Sequence, residues 1–382
     1  MAAFKEIPIL DLALARSPDT KPDFLRQLRE TLLNVGFLYL KNAGIDQETY
    51  DRVCEEGIRF FDLPEEEKLA IEMKNRASFL GYSRLGNEIT AHKADWREQL
   101  DLSTPHPERL DTDPLYHHLL APNQWPNPQL LPSFRPVFED YIARMSKISV
   151  FFTSLIAESL DLPASAFDAF FDKDQQHKLK VVKYPDSGEG AGQGVGPHKD
   201  SMLTSYLLQA SEHKGLQAQN TQGEWIDCPP IRGTLVVAIG QGLEALTGGV
   251  CASTTHRVLS PKAGEGARFS IPFFQGVSYD AKVGSSFYSA RLICSDRRKQ
   301  FESMDVPEHV RALRAEILQR QNGRKDDVEF TFVKGRWNHL GEATLMNRVK
   351  SHTDVAERWF PDLLKQLREQ QARDDTQPVK AF

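Results

Sequence analysis

The chain has 382 residues, of which 40% are hydrophobic and 26% charged, with a formal net charge of -6. That composition supports a large globular core and lacks the basic footprint of a nucleic-acid binder. The four scattered cysteines, Cys54, Cys228, Cys251 and Cys294, form no CxxC pair and fit reduced thiols in a cytoplasmic protein. The apolar run near the N-terminus is short and broken by Asp11, so neither a signal peptide nor a membrane span is expected.

In chain order, IPIL at 7–10 predicts a short strand. Residues 22–34 place Phe24, Leu25, Leu28 and Leu32 at helical spacing, Gly36 stops that helix, and FLYLKN at 37–42 follows as a strand. Two helices are expected near 46–61 and 64–74, and 104–132, rich in Pro, His and Asp, reads as a long surface connection. A long amphipathic helix spans about 133–160. From KLKVVKYP at 178–185 the character changes to short apolar runs separated by turn residues, which predicts an antiparallel sandwich or barrel. The glycine run at 188–196 matches no phosphate-binding pattern and reads as the entry to a strand. Helices return after about 306. The expected division is 1–177 as a mostly helical region packing on the core, 178–290 as the catalytic β core and 291–382 as a helical extension, in one integrated catalytic unit.

The chemistry concentrates in GPHKDSMLTSYLLQ at 196–209. Residues i and i+2 of a strand share a side, so His198 and Asp200 can converge on one ion, with His256 in STTHRVLS as the third ligand. Two histidines and a carboxylate leave open positions on iron(II), although a zinc hydrolase can use the same donors. Downstream, Arg268 and Ser270 in ARFSIPFF are again two apart, a pair suited to gripping a carboxylate. The aromatics Phe273, Phe274, Tyr279, Phe287 and Tyr288 are candidates for a pocket wall, Trp96 and Trp225 for the core, and His352 for a structural or surface place.

Taken together, IPILDL, LLNVGFLYLKNAGI, GYSRLGNEITAHKADWREQLDL, HKDSMLTSYLLQ, STTHRVLS and ARFSIPFF resemble, in order and spacing, the isopenicillin N synthase-like group of iron(II)/2-oxoglutarate-dependent dioxygenases. GEATLMNRVKSHTDVAERWFP is similar to an extension of some fungal members. The resemblance implies a mixed α/β fold with a β core, a double-stranded β-helix (a cupin-like jelly roll) wrapped by N- and C-terminal helices. It implies iron(II) on His198, Asp200 and His256, with 2-oxoglutarate held by Arg268, Ser270 and Tyr184 beside Leu203, and substrate near Phe274. Many members carry Asn two residues before the tyrosine, where this chain has Val182, and Lys180 and Lys183 nearby read as solvated. The activity implied is hydroxylation, desaturation or ring rearrangement of a small organic molecule with dioxygen, ascorbate serving as reductant, in secondary metabolism. No nucleic-acid or membrane partner is expected. Three alternatives stay open: an iron oxidase of this fold without 2-oxoglutarate, a zinc hydrolase, and a non-catalytic binding protein.

Overall fold

A computed structural model describes residues 3–90, 93–186, 192–283, 300–301, 304–321 and 339–376. The first strand, β1 (Ile9–Asp11), leads to α1 (Lys21–Asn34), whose Phe24, Leu28 and Leu32 are buried as one stripe. At Gly36 the backbone is left-handed (φ 65°), and a Cβ there would run into the Ala252 carbonyl, so the helix must end on glycine. There follow β2 (Phe37–Lys41), α2 (Gln47–Phe61), α3 (Glu65–Ala70), β3 (Gly81–Ser83), β4 (Ile89–Thr90), β5 (Lys93–Ala94) and β6 (Glu98–Ser103). The long helix α4 (Phe134–Ser159) then buries Phe138, Tyr141, Met145 and Phe152.

The β core comprises β7 (Lys178–Tyr184), β8 (Gln193–His198), β9 (Thr204–Gln209), β10 (Leu216–Gln219), β11 (Trp225–Asp227), β12 (Thr234–Ile239), β13 (His256–Leu259) and β14 (Arg268–Gln275), with the short α5 (Gln241–Leu246) after β12. The C-terminal part adds α6 (Glu308–Arg320), α7 (Leu340–Ser351), α8 (Thr353–Trp359) and α9 (Pro361–Thr376). The last two are separated at Phe360, since a proline disfavours helical backbone in the residue before it.

Two sheets form the jelly roll. The larger runs β1-β2-β12-β9-β14-β7-β6-β3 and the smaller β11-β10-β13-β8. Strands from the N-terminal region therefore complete both ends of the larger sheet. Alternation sorts its side chains. Leu38, Leu100, Val181, Tyr206, Val237 and Phe273 face the helical layer of α1, α2 and α4, whereas Phe37, Val182, Tyr184, Val236 and Ala238 face the smaller sheet. A third cluster, with Phe79, Tyr116, Tyr279, Leu345, Val355 and Phe360, seats the C-terminal helices.

Three expectations change. The connection at 104–132 is anchored by buried Tyr116, Leu119 and Leu131 and is not merely superficial. Trp96 is exposed rather than in the core, and Trp225 is half-buried under the Arg257 guanidinium, 4.0 Å from its ring centroid. Helix α7 falls within the helical extension expected at 291–382. Cys54, Cys228 and Cys251 are free, while Cys294, Phe287 and Tyr288 lie outside the described residues. Among the described residues no helix is long and apolar enough to cross a membrane.

His177, just before β7, ties the sheet to α4. Its Nδ1 accepts the Gly276 N–H at 3.1 Å, which leaves the proton on Nε2 to donate to Ser146 Oγ at 3.1 Å. Burial, and then His106, draws its pKa from 6.5 down to about 3. A ring kept neutral in the folded state and protonated in the unfolded chain stabilises the fold fully above about pH 6.5, and that contribution is lost as pH falls toward about 3. Urea titrations should show stability declining on acidification through this window. His177→Gln should be less stable at neutral pH and have a flatter slope below it.

Candidate iron and 2-oxo acid site

The site lies at one mouth of the roll, where β8 and β13 pair antiparallel with His198 opposite His256. Directly opposed residues put their side chains on one face, and the two imidazole rings stand 4.3 Å apart between centroids. Strand β8 ends at His198, so Asp200 is not on the strand as the two-residue spacing suggested. It reaches the same point from the bend that follows. Its Oδ1 is 3.8 Å from Nε2 of each histidine, and donor atoms of the three residues all fall within 4.8 Å of one another.

Each histidine is oriented from behind. Nδ1 of His198 donates to the Gly196 carbonyl at 2.8 Å and Nδ1 of His256 to the Thr254 carbonyl at 3.1 Å, an assignment that leaves both Nε2 lone pairs facing the gap. Burial, and then the neighbouring His256, lowers the pKa of His198 and keeps it in the neutral form that binds a metal. Ser205 Oγ donates to Asp200 Oδ2, which fixes the carboxylate and leaves Oδ1 toward the histidines. Two nitrogens and one oxygen converging on one gap suit a divalent transition metal with open positions. Ser205 is a residue the sequence reading missed, because nothing marks its partnership with Asp200 before the chain is folded.

Deeper between the sheets, Arg268 and Ser270 project inward from β14. Arg268 is 1% exposed and Ser270 0%. The guanidinium lies over the Tyr184 ring, 5.0 Å from its centroid, and Nη2 makes a long 3.4 Å contact with Gln209 Oε1. Its Nη1 and the Ser270 hydroxyl have no partner. Burial lowers the Arg268 pKa and Tyr184 opposes that shift. Among the described residues no carboxylate forms a salt bridge with Arg268. A buried guanidinium and hydroxyl left unpartnered on one strand face are costly unless an anion completes them. The donor set thus fits a ligand carboxylate.

Cross-strand register shows what stands where an asparagine was expected. Val182 lies opposite Ser270 on one side and opposite Gln99 on the other, while Gln209 lies opposite Ser270 from β9. The row Gln209–Ser270–Val182–Gln99 keeps two amides flanking the apolar position. Gly194 lets this layer close, since a Cβ there would come within 2.9 Å of the Tyr184 ring. Leu203 is not brought to this row. It is buried in the helix-side core and lines a separate small apolar pocket with Met202, Gly242 and Val277.

A cavity of about 230 Å³ opens beside the triad. Phe274, Pro272 and Tyr279 line it, whereas Phe273 points into the helix-side core. Lys180 also lines it, buried and not solvated as its strand position suggested, 3.1 Å from both Glu88 oxygens. Lys183 does face the other side and pairs with Glu98 at 3.0 Å. His352 is buried, its Nε2 3.9 Å from Glu88.

Comparison with known proteins accords with this geometry. Residues 7–128 match the family described as non-haem dioxygenase in morphine synthesis, N-terminal, and residues 176–277 match the 2OG-Fe(II) oxygenase superfamily. The chain is 64% identical over 377 residues, 97% of each protein, to the 2-oxoglutarate-dependent dioxygenase frbJ of Dothideomycetidae sp. (strain 11243). It is 31% identical to a homoarginine-6-hydroxylase of Glycine max, covering 73% of this chain and 88% of that one. Among solved structures, a full-length Neurospora crassa protein in complex with alpha-KG and thymine superposes with TM-score 0.61 at 23% identity, over 81% of this chain and 96% of that one, a likeness of fold. Of the readings left open by the residues alone, the one that agrees with these relatives is a dioxygenase using iron(II) and 2-oxoglutarate. The chain belongs to the 2OG-Fe(II) oxygenase superfamily.

Proposed function

We propose that His198, Asp200 and His256 hold iron(II), that Arg268, Ser270 and Tyr184 hold the far carboxylate of 2-oxoglutarate, and that a small organic substrate enters the cavity lined by Phe274. The observation that carries this reading is the unpartnered Arg268 Nη1 and Ser270 Oγ, both buried, on the inner face of the roll that also bears the triad. Bound iron(II) would supply the oxidative decarboxylation of 2-oxoglutarate coupled to oxidation of a substrate C–H bond. The chain's own part is orientation and exclusion of water. Nε2 of each histidine and Oδ1 of Asp200 face one point, and Ser205 keeps the carboxylate from rotating. The apolar layer of Val182, Val195, Val236 and Val258 excludes water around the Arg268 end and strengthens its hold on an anion.

The outcome of the oxidation, hydroxylation, desaturation or ring rearrangement, depends on how the cavity presents its substrate. A place in fungal secondary metabolism is supported by the relatives' names and organisms, and a cytoplasmic setting by the free thiols and the absence of a membrane-spanning helix among the described residues. The net charge of -6 supports a small-molecule partner over nucleic acid. Of the proposed divisions at 177/178 and 290/291, the first is supported by the start of the superfamily match at residue 176.

Three sets of measurements test the assignment. His198→Ala should lose iron binding and substrate-dependent succinate release together, and full activity in that variant would sink the proposal. Arg268→Met should raise the KM for 2-oxoglutarate by about 100-fold, the scale of one or two charge-assisted hydrogen bonds, with a smaller effect on kcat at saturation. An unchanged KM would place the 2-oxo acid elsewhere. Ser205→Ala should weaken iron(II) binding about 10-fold by freeing the Asp200 carboxylate, and Ser205→Thr should restore it. Equal iron affinity in all three proteins would show that Ser205 does not position the ligand.

A further inference from the structure

The cavity beside the triad holds more positive than negative charge. Its wall carries Lys178, Lys180, Lys199, Arg97 and Arg348 around Glu88, with Asp95 and Asp101 behind them. Four of the five cations are paired, Lys199 with Glu244 at 3.7 Å. Lys180 lies 3.1 Å from Glu88 and 3.7 Å from Asp101. Arg97 is 2.8 Å from Glu88 and 3.1 Å from Asp95, and Arg348 is 3.2 Å from Asp101. The carboxylates are also saturated by amides and hydroxyls. Gln99 donates to Glu88 at 2.8 Å and to Asp101 at 2.9 Å, and Thr90 donates to Asp95 at 2.7 Å. Among the described residues, Glu88, Asp95 and Asp101 are each engaged by at least one cation.

Lys178 is the exception. It is 7% exposed, lines the cavity, and among the described residues makes one hydrogen bond, to the Leu119 carbonyl at 2.7 Å, and no salt bridge. Two of its three N–H donors remain for the cavity. Arg348 is close enough for its charge to act on both Lys178 and Tyr279. The Tyr279 hydroxyl, buried on the same wall, has no partner. Burial, with Arg348 beside it, draws the Lys178 pKa down to about 7, and the charge of Asp101 only partly opposes this. The position relative to the triad is set by register. Ser205, which holds Asp200, lies opposite Phe274, and Phe274 lies opposite Lys178. Two strand spacings put the Lys178 backbone roughly 10 Å from that of Ser205, room for a small molecule between them.

We propose that the substrate carries a carboxylate, received by Lys178 together with Arg348 and the Tyr279 hydroxyl, so that the C–H bond to be oxidised is presented to the triad from that fixed end. This rests on the dioxygenase reading of the site. It also assigns substrate selection in part to α7, because Thr344, Asn347, Arg348 and Ser351 recur at helical spacing and all line the cavity. That helix lies outside both family matches, 7–128 and 176–277.

The test uses the full chain, anaerobic, with iron(II) and 2-oxoglutarate. The charge-transfer band of the chelated 2-oxo acid is recorded first, then its perturbation by a panel of acids (L-homoarginine, L-glutamine, L-proline, phenylacetate), each against its primary amide. The expected result is that at least one acid shifts the band and binds about 10-fold or more tighter than its amide, the scale of one charge-assisted hydrogen bond. Lys178→Met should abolish that preference while the band and its 2-oxoglutarate dependence persist, and Lys178→Arg should retain it. Should the Met variant fail to fold, as absence of the band would reveal, Arg348→Gln must reduce the preference. Amides binding as well as acids, no acid shifting the band, or the preference surviving both Lys178→Met and Arg348→Gln would overturn the proposal. Absence of the band in the unmodified protein would sink the dioxygenase reading itself, a result distinguishable from all of these.

Discussion

Arg268 is a full positive charge held between two sheets, and among the described residues it has no salt bridge to a carboxylate. Desolvating a guanidinium is among the most expensive operations in folding, and its ordinary remedy is a protein carboxylate. Here the remedy is withheld on the protein side. The Tyr184 ring and one amide oxygen give partial compensation, while Nη1 and the Ser270 hydroxyl stay open. Much of the surrounding architecture serves this arrangement. Gly194 admits Tyr184 to the layer, the valines of both sheets keep water out, and the pairing of β8 with β13 sets the two imidazoles at the mouth. The site is complete only when an anion and a metal arrive, so affinity for both is built into the unliganded fold.

The same logic, a charge without its counter-charge, appears a second time in the substrate cavity. The cluster of Glu88, Asp95, Asp101, Arg97, Lys180 and Arg348 is internally balanced and rigid, a wall held by shared ion pairs rather than by apolar packing. Lys178 stands at its end, with no salt bridge among the described residues. On the proposed reading the two cations have separate roles, Arg268 toward the 2-oxo acid and Lys178 toward the molecule to be oxidised. The proposed selection surface then draws on α7 through Thr344, Asn347, Arg348 and Ser351.

How much of this could be read from the residues depends on whether the signal is local. His198 with Asp200 and Arg268 with Ser270 are two-residue patterns, and strand geometry alone suggests what they do, although Asp200 reaches the ion from a bend rather than from the strand. The alternation of β14 and the stripe of α4 are local too. What was missed is what depends on register or on the partner of a face. Lys180 looks like an ordinary surface lysine until β6 is laid beside β7 and puts Asp101 against it. Leu203 follows the parity of Ser205 and Leu207, yet it precedes β9 and turns to the helix side. Trp96 is apolar enough for a core but sits in a turn between two short strands. Helix α7 has two faces, an apolar one with Leu345 and Val349 in the core and a polar one toward the cavity, and the role of the polar face is visible only once the chain is folded. Val182 breaks the family's pattern in one dimension, while the amides that flank it, Gln99 and Gln209, are visible only across the sheet.

The central claim is that two anion grips and one metal triad occupy three separate places on the inner face of the roll. The most direct measurement is an anaerobic crystal structure of the chain with iron(II) and 2-oxoglutarate. The account predicts the ion on Nε2 of His198 and His256 and Oδ1 of Asp200, with the far carboxylate of the 2-oxo acid on Arg268 Nη1 and Ser270 Oγ and Lys178 left free. A 2-oxo acid whose far carboxylate rests on Lys178 and Arg348, with Arg268 untouched, would contradict it.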